Sequence, residues 1–359
     1  MKSLILYLSV FMIVFIINSI GSKYYKNHKV FSSILILISF MILILLIGVR
    51  DGVGTDYDSY IYYYNLISNL SFDELSVIDW EYGALIIFKL TSLIFQNEKF
   101  IMIVLAFLTI YPLYKANKLY DYKYLPYSIL TYCLIFLPFS MNGMRQAIAM
   151  SFTLLATIYL IKDNKLKSIL SIVIAFLFHK SAIIIVPYLI LFMIKKGKKI
   201  ERDYILITLI VSVFILFFNE FLINLGFISE YDYYLTNINI ENISLNNFIF
   251  YIPFILIMVS FSSKQENNLN MLKGFVIGGI ILEVIGTSKQ YLSRIALYYS
   301  MAEIILIPIL LKHISNQTTK KLVSFLYIIF LIIYFVYQFY IIGRHEIFPY
   351  QTWLIGGNL

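Results

Sequence analysis

Charge is what this sequence has least of. Only 13% of its 359 residues are Asp, Glu, Lys or Arg, against about 25% in soluble domains, and that scarcity excludes an ordinary soluble fold. Cysteine is nearly absent: Cys133 stands alone in an apolar run, which rules out a disulfide framework and a cysteine metal site. No Ala-x-Ala-like cleavage site follows the opening apolar run from Leu4 to Ile17, so that run reads as a first helix rather than a removable signal. Tandem repeats, linkers and low-complexity tracts are also missing. The chain therefore reads as a single transmembrane domain, 1–359.

Apolar residues make up 60% of the chain, and the mean hydropathy is +0.83. Apolar segments lie near 3–20, 30–48, 82–96, 99–114, 124–140, 145–161, 167–194, 203–222, 248–262, 271–287, 295–311 and 321–342. A bilayer core takes about 20 apolar residues per helix. The expected fold class is thus all-α: a polytopic membrane helix bundle of about 11–13 segments, some short or re-entrant. The net charge of +8 reflects lysine-rich loops held on the cytoplasmic side, not a nucleic-acid partner. Those loops are Lys23–Lys29, Lys115–Lys123, Lys162–Lys167, Lys195–Arg202 and Lys312–Lys321. Two larger loops, 49–81 and 223–247, then fall outside, the second with Tyr231, Asp232, Tyr233 and Tyr234 as saccharide contacts.

This assignment gives 167–194 two cytoplasmic flanks, so two short helices are expected to meet near His179, Lys180 and Ser181. Parity likewise makes 82–96, which contains Lys89, a short interfacial or re-entrant piece.

The cations outside the basic loops, Arg50, Arg145, His179, Lys180, Lys289, Arg294, Arg344 and His345, all fall at outer helix ends. Ionisable groups there are costly unless they face a cavity or a partner, so their gathering asks for an anion. Arg50-Asp51-Gly52-Val53-Gly54-Thr55-Asp56-Tyr57-Asp58-Ser59-Tyr60 follows the second helix as a polar turn, in which Asp56 and Asp58 are able to accept a proton, bind sugar hydroxyls or hold a divalent cation, though two carboxylates without further ligands are a weak metal signal. Asn142-Gly143-Met144-Arg145-Gln146 opens a helix, placing Arg145 where the dipole and free N–H groups also favour an anion. Tyr291, Arg294 and Tyr298 share one helix face, suiting a cation that grips phosphate between rings that stack on sugars. His179 sits between apolar flanks and is a candidate general base. Glu283 and Glu303 are intramembrane carboxylates, readable as a transporter's proton relay or as partners of Lys289 and Arg294. Each feature also has an ordinary reading: a turn, a snorkelling arginine, an interfacial aromatic belt, a structural histidine.

Together, the Arg50–Tyr60 turn, Asn142–Gln146, Phe178-His179-Lys180-Ser181, Arg294–Tyr299 and the tail Ile347-Phe348-Pro349-Tyr350 resemble the EpsG family, within the Wzy-like O-antigen and capsular polysaccharide polymerases. The resemblance implies a GT-C-like design in a bacterial cytoplasmic membrane. It also implies an enzyme that joins oligosaccharide repeat units carried on undecaprenyl diphosphate at the outer face. Carried onto this chain, diphosphate binding falls to Arg145 and Arg294 with Arg50 as a third group, proton removal to His179 or Asp56, and sugar stacking to Tyr57, Tyr291 and Tyr298. Diphosphate leaves readily, so no metal or other cofactor is expected. Partners would be the lipid-linked oligosaccharide, the bilayer and a chain-length regulator. A flippase of lipid-linked sugars, or a related glycan ligase, is the alternative.

Overall fold

A computed structural model describes residues 1–194, 206, 210, 245–260, 267–286, 290–354 and 357–358. The helices are α1 (Lys2–Tyr24), α2 (Lys29–Gly48), α3 (Tyr57–Asn69), α4 (Tyr82–Ile94), α5 (Phe100–Tyr120), α6 (125–140, with a π turn at Tyr132–Phe136), α7 (Met144–Ile161) and α8 (Lys165–Phe178). They continue as α9 (Val186–Ile194), α10 (Ile252–Ser260), α11 (Asn267–Gly286), α12 (Gln290–Ser300), α13 (Glu303–Lys312) and α14 (Gln317–Phe335, extended by a π turn Val336–Ile341). The chain is an all-α polytopic membrane protein. Among the described residues, α1, α2, α5, α7 and α14 are long and apolar enough to cross a membrane. The pair α12 and α13, bent by 41°, makes a sixth candidate, and Tyr82–Ile94, Lys180–Ile194 and Phe248–Ser260 are shorter apolar helices. The expected segment 203–222, the loop Lys195–Arg202 and the Tyr231–Tyr234 contacts lie outside the described residues, as does Lys289.

Helices inside a bilayer gain little from burying apolar surface against one another, so small residues and internal hydrogen bonds hold them. α1 and α2 show both. A Cβ on Gly21 would crowd Ile36, and buried Ser39 donates to Asn18 Oδ1 at 3.0 Å. α2 meets α5 at Gly48, where a Cβ would fall 2.7 Å from Ile103 Cα. α11 and α12 form a tight hairpin: a Cβ on Gly279 would strike Ser300, and one on Gly286 would lie 2.6 Å from the Ser293 nitrogen.

The stretch 49–81, expected as a loop, contains α3 and a 3-10 turn at Asp73–Val77. Tyr57, Tyr60, Tyr64 and Ile67 form the buried stripe of α3, at the spacing of an amphipathic helix. α4 has 13 residues, giving a rise of about 20 Å, too short for a full span. Its Lys89 is buried and donates to the Ser68 carbonyl at 3.0 Å. α8 ends at Phe178, the backbone is extended at His179, and Lys180–Ile185 is a 3-10 turn leading into α9. α9 then packs Tyr188 on Phe275 and Tyr299.

The two ends of the bundle differ in charge. At one, lysine-rich connectors interlock: Lys312 Nζ donates to the Lys123 carbonyl at 3.1 Å, Lys320 Nζ to the Lys312 carbonyl at 2.8 Å and Lys162 Nζ to the Tyr120 carbonyl at 3.3 Å. At the other, the tail closes over the Arg50 turn. Asp51 N donates to the Gln351 carbonyl, Gly54 N to the Glu346 carbonyl and Trp353 N to the Val49 carbonyl. A short strand, β1 (Gln351–Thr352), pairs with β2 (Gly357–Asn358) beside it.

Candidate functional site

A cavity of about 610 Å³ opens at the end capped by the tail. Its mouth carries Thr55, Asp56, Asn142 and Gly143 from the turns before α3 and α7, with Arg344 and His345 from the tail. Deeper in, Glu283 of α11, Ser293 and Arg294 of α12 and Glu303 of α13 face aromatic walls that include Phe139, Tyr334 and Phe339.

The mouth is built by long-range contacts. Asn142 donates through Nδ2 to the His345 carbonyl at 2.9 Å and to the Pro138 carbonyl at 3.1 Å. Its Oδ1 lies 3.1 Å from the Thr55 hydroxyl, which is 3.0 Å from Asp56 Oδ1. Gly54 has φ +97°, and a Cβ there would collide with the Asn142 side chain; this is where the turn needs glycine. Gly343 and His345 also have positive φ, at 77° and 68°. The His345 ring stacks on Phe339 with centroids 5.9 Å apart. Burial, and then the charges of Arg344 and Arg294, pull its imidazole down to about 4, so it is neutral near pH 7 and a weak base.

Arg294 lines this cavity, and its carbonyl accepts from Gln146 Nε2 at 2.7 Å, tying α12 to the start of α7. Of the three arginines assigned to diphosphate, it is the one the structure puts on the cavity wall. Arg50 is 0% exposed and donates to the carbonyls of Ile47, Val53 and Met141 at 2.5–3.0 Å. Its guanidinium cross-links the end of α2 to the α6–α7 turn and is not part of this cavity's lining. Burial lowers it to about 10, still charged near neutral pH.

Arg145 pairs with Glu81 and lies 4.3 Å from the Trp80 ring centroid. Glu81 also accepts from the Lys180 N–H at 2.9 Å, so one carboxylate joins the start of α7 to the break after α8. Sequence reasoning missed Glu81. Its one signal was a carboxylate just before an apolar helix; the partners that give it meaning stand 64 and 99 residues away.

His179 is buried, with Nδ1 2.7 Å from Ser181 Oγ, which lies 3.0 Å from the Tyr298 hydroxyl. This chain of polar groups packs α8, α9 and α12 together beside the cavity, not on its lining. Tyr291 and Tyr298 are likewise buried; the α12 residues lining the cavity are Ser293, Arg294, Leu297 and Ser300. Tyr57 is turned inward as well, its hydroxyl donating to Asp51 Oδ1 at 3.1 Å, while Asp51 pairs with Lys99 at 2.7 Å. Asp56 is the candidate from the turn that lines the cavity. Arg344 and His345, noticed in the sequence only as outer-end cations, join it there. Among the described residues, no three His, Cys, Asp or Glu side chains come together as a metal site would need.

The arrangement suits an anion: Arg344 at the mouth and Arg294 on the wall of a partly apolar pocket, with polar groups at its mouth for hydroxyls. In comparisons with known proteins, the model of the EpsG family matches residues 33–352. Neither a curated protein nor a solved structure matches.

Proposed function

This chain belongs to the EpsG family, the Wzy-like polymerases, and from that premise we propose that it joins polyprenyl-diphosphate-linked oligosaccharide repeat units into a long polysaccharide. The working face is the outer side of a bacterial cytoplasmic membrane, because the lysine-rich end opposite the cavity belongs in the cytoplasm. The observation that carries the reading is the cavity itself. Arg294 and Arg344 stand over one pocket with Asp56 and Thr55 at its mouth.

In this reading Arg294 and Arg344 hold the diphosphate of the lipid-linked donor. A hydroxyl of the acceptor glycan attacks the donor's anomeric carbon, and the lipid diphosphate leaves. Negative charge grows on the bridging oxygen during that step. A preplaced guanidinium there lowers the barrier by about 2.7–4 kcal/mol if it does the work of one oxyanion donor. Asp56 and Thr55 bind sugar hydroxyls at the mouth. Arg145, Arg50 and His179 act on the framework: Arg145 and His179 fix the starts and breaks of α7, α8 and α12, and Arg50 fixes the turn that carries Asp56.

The test is glycan length in cells carrying Arg294→Ala or Arg344→Ala, with membrane protein level checked in parallel. Loss of long polymer with single repeat units still displayed outside supports the reading. Undiminished polymer in both variants refutes the assignment, and repeat units trapped on the cytoplasmic side point to a flippase instead.

A further inference from the structure

Two carboxylates in the cavity have no part in holding an anion. Glu283 and Glu303 both line it, near enough for their charges to interact. Two other acids at this end are engaged: Glu81 with Arg145 and the Lys180 N–H, Asp51 with Lys99 and Tyr57. Glu303 differs. It is 2% exposed, and its Oε1 makes no hydrogen bond among the described residues. A buried ionisable group without a partner is costly in a membrane protein and marks a place where a ligand completes the site. The 41° bend between α12 and α13 falls just before Glu303. Arg294, Leu297, Ser300 and Glu303 thus advance in threes down one wall. Their backbones span about 13 Å of helix rise from Arg294 to Glu303.

We propose that Glu303 takes the proton from the attacking acceptor hydroxyl, with Glu283 beside it accepting hydrogen bonds from the same sugar. This rests on the polymerase reading above. As the acceptor oxygen forms its bond to the anomeric carbon, its proton passes to the Glu303 carboxylate. The bond from the anomeric carbon to the diphosphate oxygen breaks, leaving its electron pair on the lipid diphosphate held by Arg294 and Arg344. The proton then escapes to water through the mouth. The competing groups are less suited. His345 belongs to the tail at the mouth, with its ring stacked on Phe339. Asp56 sits at the rim with Thr55 on its Oδ1, and His179 packs against Ser181 off the cavity.

The experiment uses the full chain purified into lipid nanodiscs. Extension is measured with lipid-linked repeat units extracted from cells lacking this protein, and binding is measured separately with undecaprenyl diphosphate. Glu303→Gln is expected to slow extension by at least about 100-fold, the lower range for loss of a general base, while undecaprenyl diphosphate binding stays within about threefold of wild type, as expected for a group that acts only in the transition state. Extension within about tenfold of wild type overturns the proposal, and so does parallel loss of binding. Where Glu303→Gln does not accumulate, Glu303→Asp decides. Slowing of at least about tenfold with binding kept supports the role, and an unchanged rate overturns it. A wild-type protein that neither extends nor binds would instead defeat the polymerase reading itself.

Discussion

Arg50 is a residue whose chemistry suits an anion and whose hydrogen bonds suit a framework role, and substitution separates the two. Its guanidinium donates to three backbone carbonyls from a position with 0% exposure. Removing it strands those acceptors, at about 1–3 kcal/mol each, so Arg50→Met should cost about 3 kcal/mol or more. At about 2–4 °C per kcal/mol for larger domains, the melting temperature should fall by at least about 6 °C. Arg50→Lys should be nearly as damaging, because an ammonium is a point donor and cannot serve three acceptors spread around a planar fork. The assay is thermal unfolding of purified protein in detergent, together with its level in membranes. If Arg50→Met melted within about 2 °C of wild type while polymer vanished, the framework role would be refuted and Arg50 would return to the diphosphate site. A Lys variant with near-normal polymer would argue the same way.

Three further outcomes follow from the geometry. Glu81→Gln should destabilise the protein by about 3 kcal/mol, the low end for a buried pair because Arg145 is only partly buried, whereas the double replacement Glu81→Met with Arg145→Leu should recover much of that loss; equal melting temperatures for the single and double variants would contradict the pairing. Gly286→Val should prevent α11 and α12 from closing, because even a Cβ lies 2.6 Å from the Ser293 nitrogen; limited proteolysis should find the pair newly accessible, and wild-type resistance would refute the close approach. His345 should contribute a pH dependence of defined sign. Its imidazole titrates at about 4 in the folded protein against 6.5 ordinarily, so the unfolded chain binds the proton first and stability is lost as pH falls from 6.5 towards 4, with no effect above. His345→Asn tolerates the positive φ and removes that contribution, so its melting temperature should fall less steeply across this window; parallel curves would contradict the burial of the imidazole.

Helix content and the uneven distribution of lysine were legible in the sequence because both are one-dimensional signals: a run of apolar residues makes a membrane helix whatever packs beside it. The break at His179 was legible for the same reason, through loop charge on either side. The facing of the outer cations was not. Arg50, Arg145 and Arg294 all stand at helix ends next to polar turns. What separates them is the carbonyl of Met141, the carboxylate of Glu81 and the open wall of α12, and each depends on contacts remote in the chain. Tyr291 and Tyr298 share the broad face of Arg294, but the cavity meets that face along Leu297 and Ser300, a rotation that helical spacing alone does not specify. Glu303 was visible as an intramembrane carboxylate. Its cavity and its unpartnered oxygen became visible only when α11, α13 and the tail were placed together.

The central claim is that this cavity catalyses chain extension. It is tested most directly by supplying the purified protein in nanodiscs with lipid-linked repeat units from cells that lack it, and resolving the products by length. A ladder of lengthening glycans, abolished by Arg294→Ala at normal protein level, is the predicted result. Repeat units that stay single with wild-type protein, or a ladder undiminished by Arg294→Ala, would contradict the account.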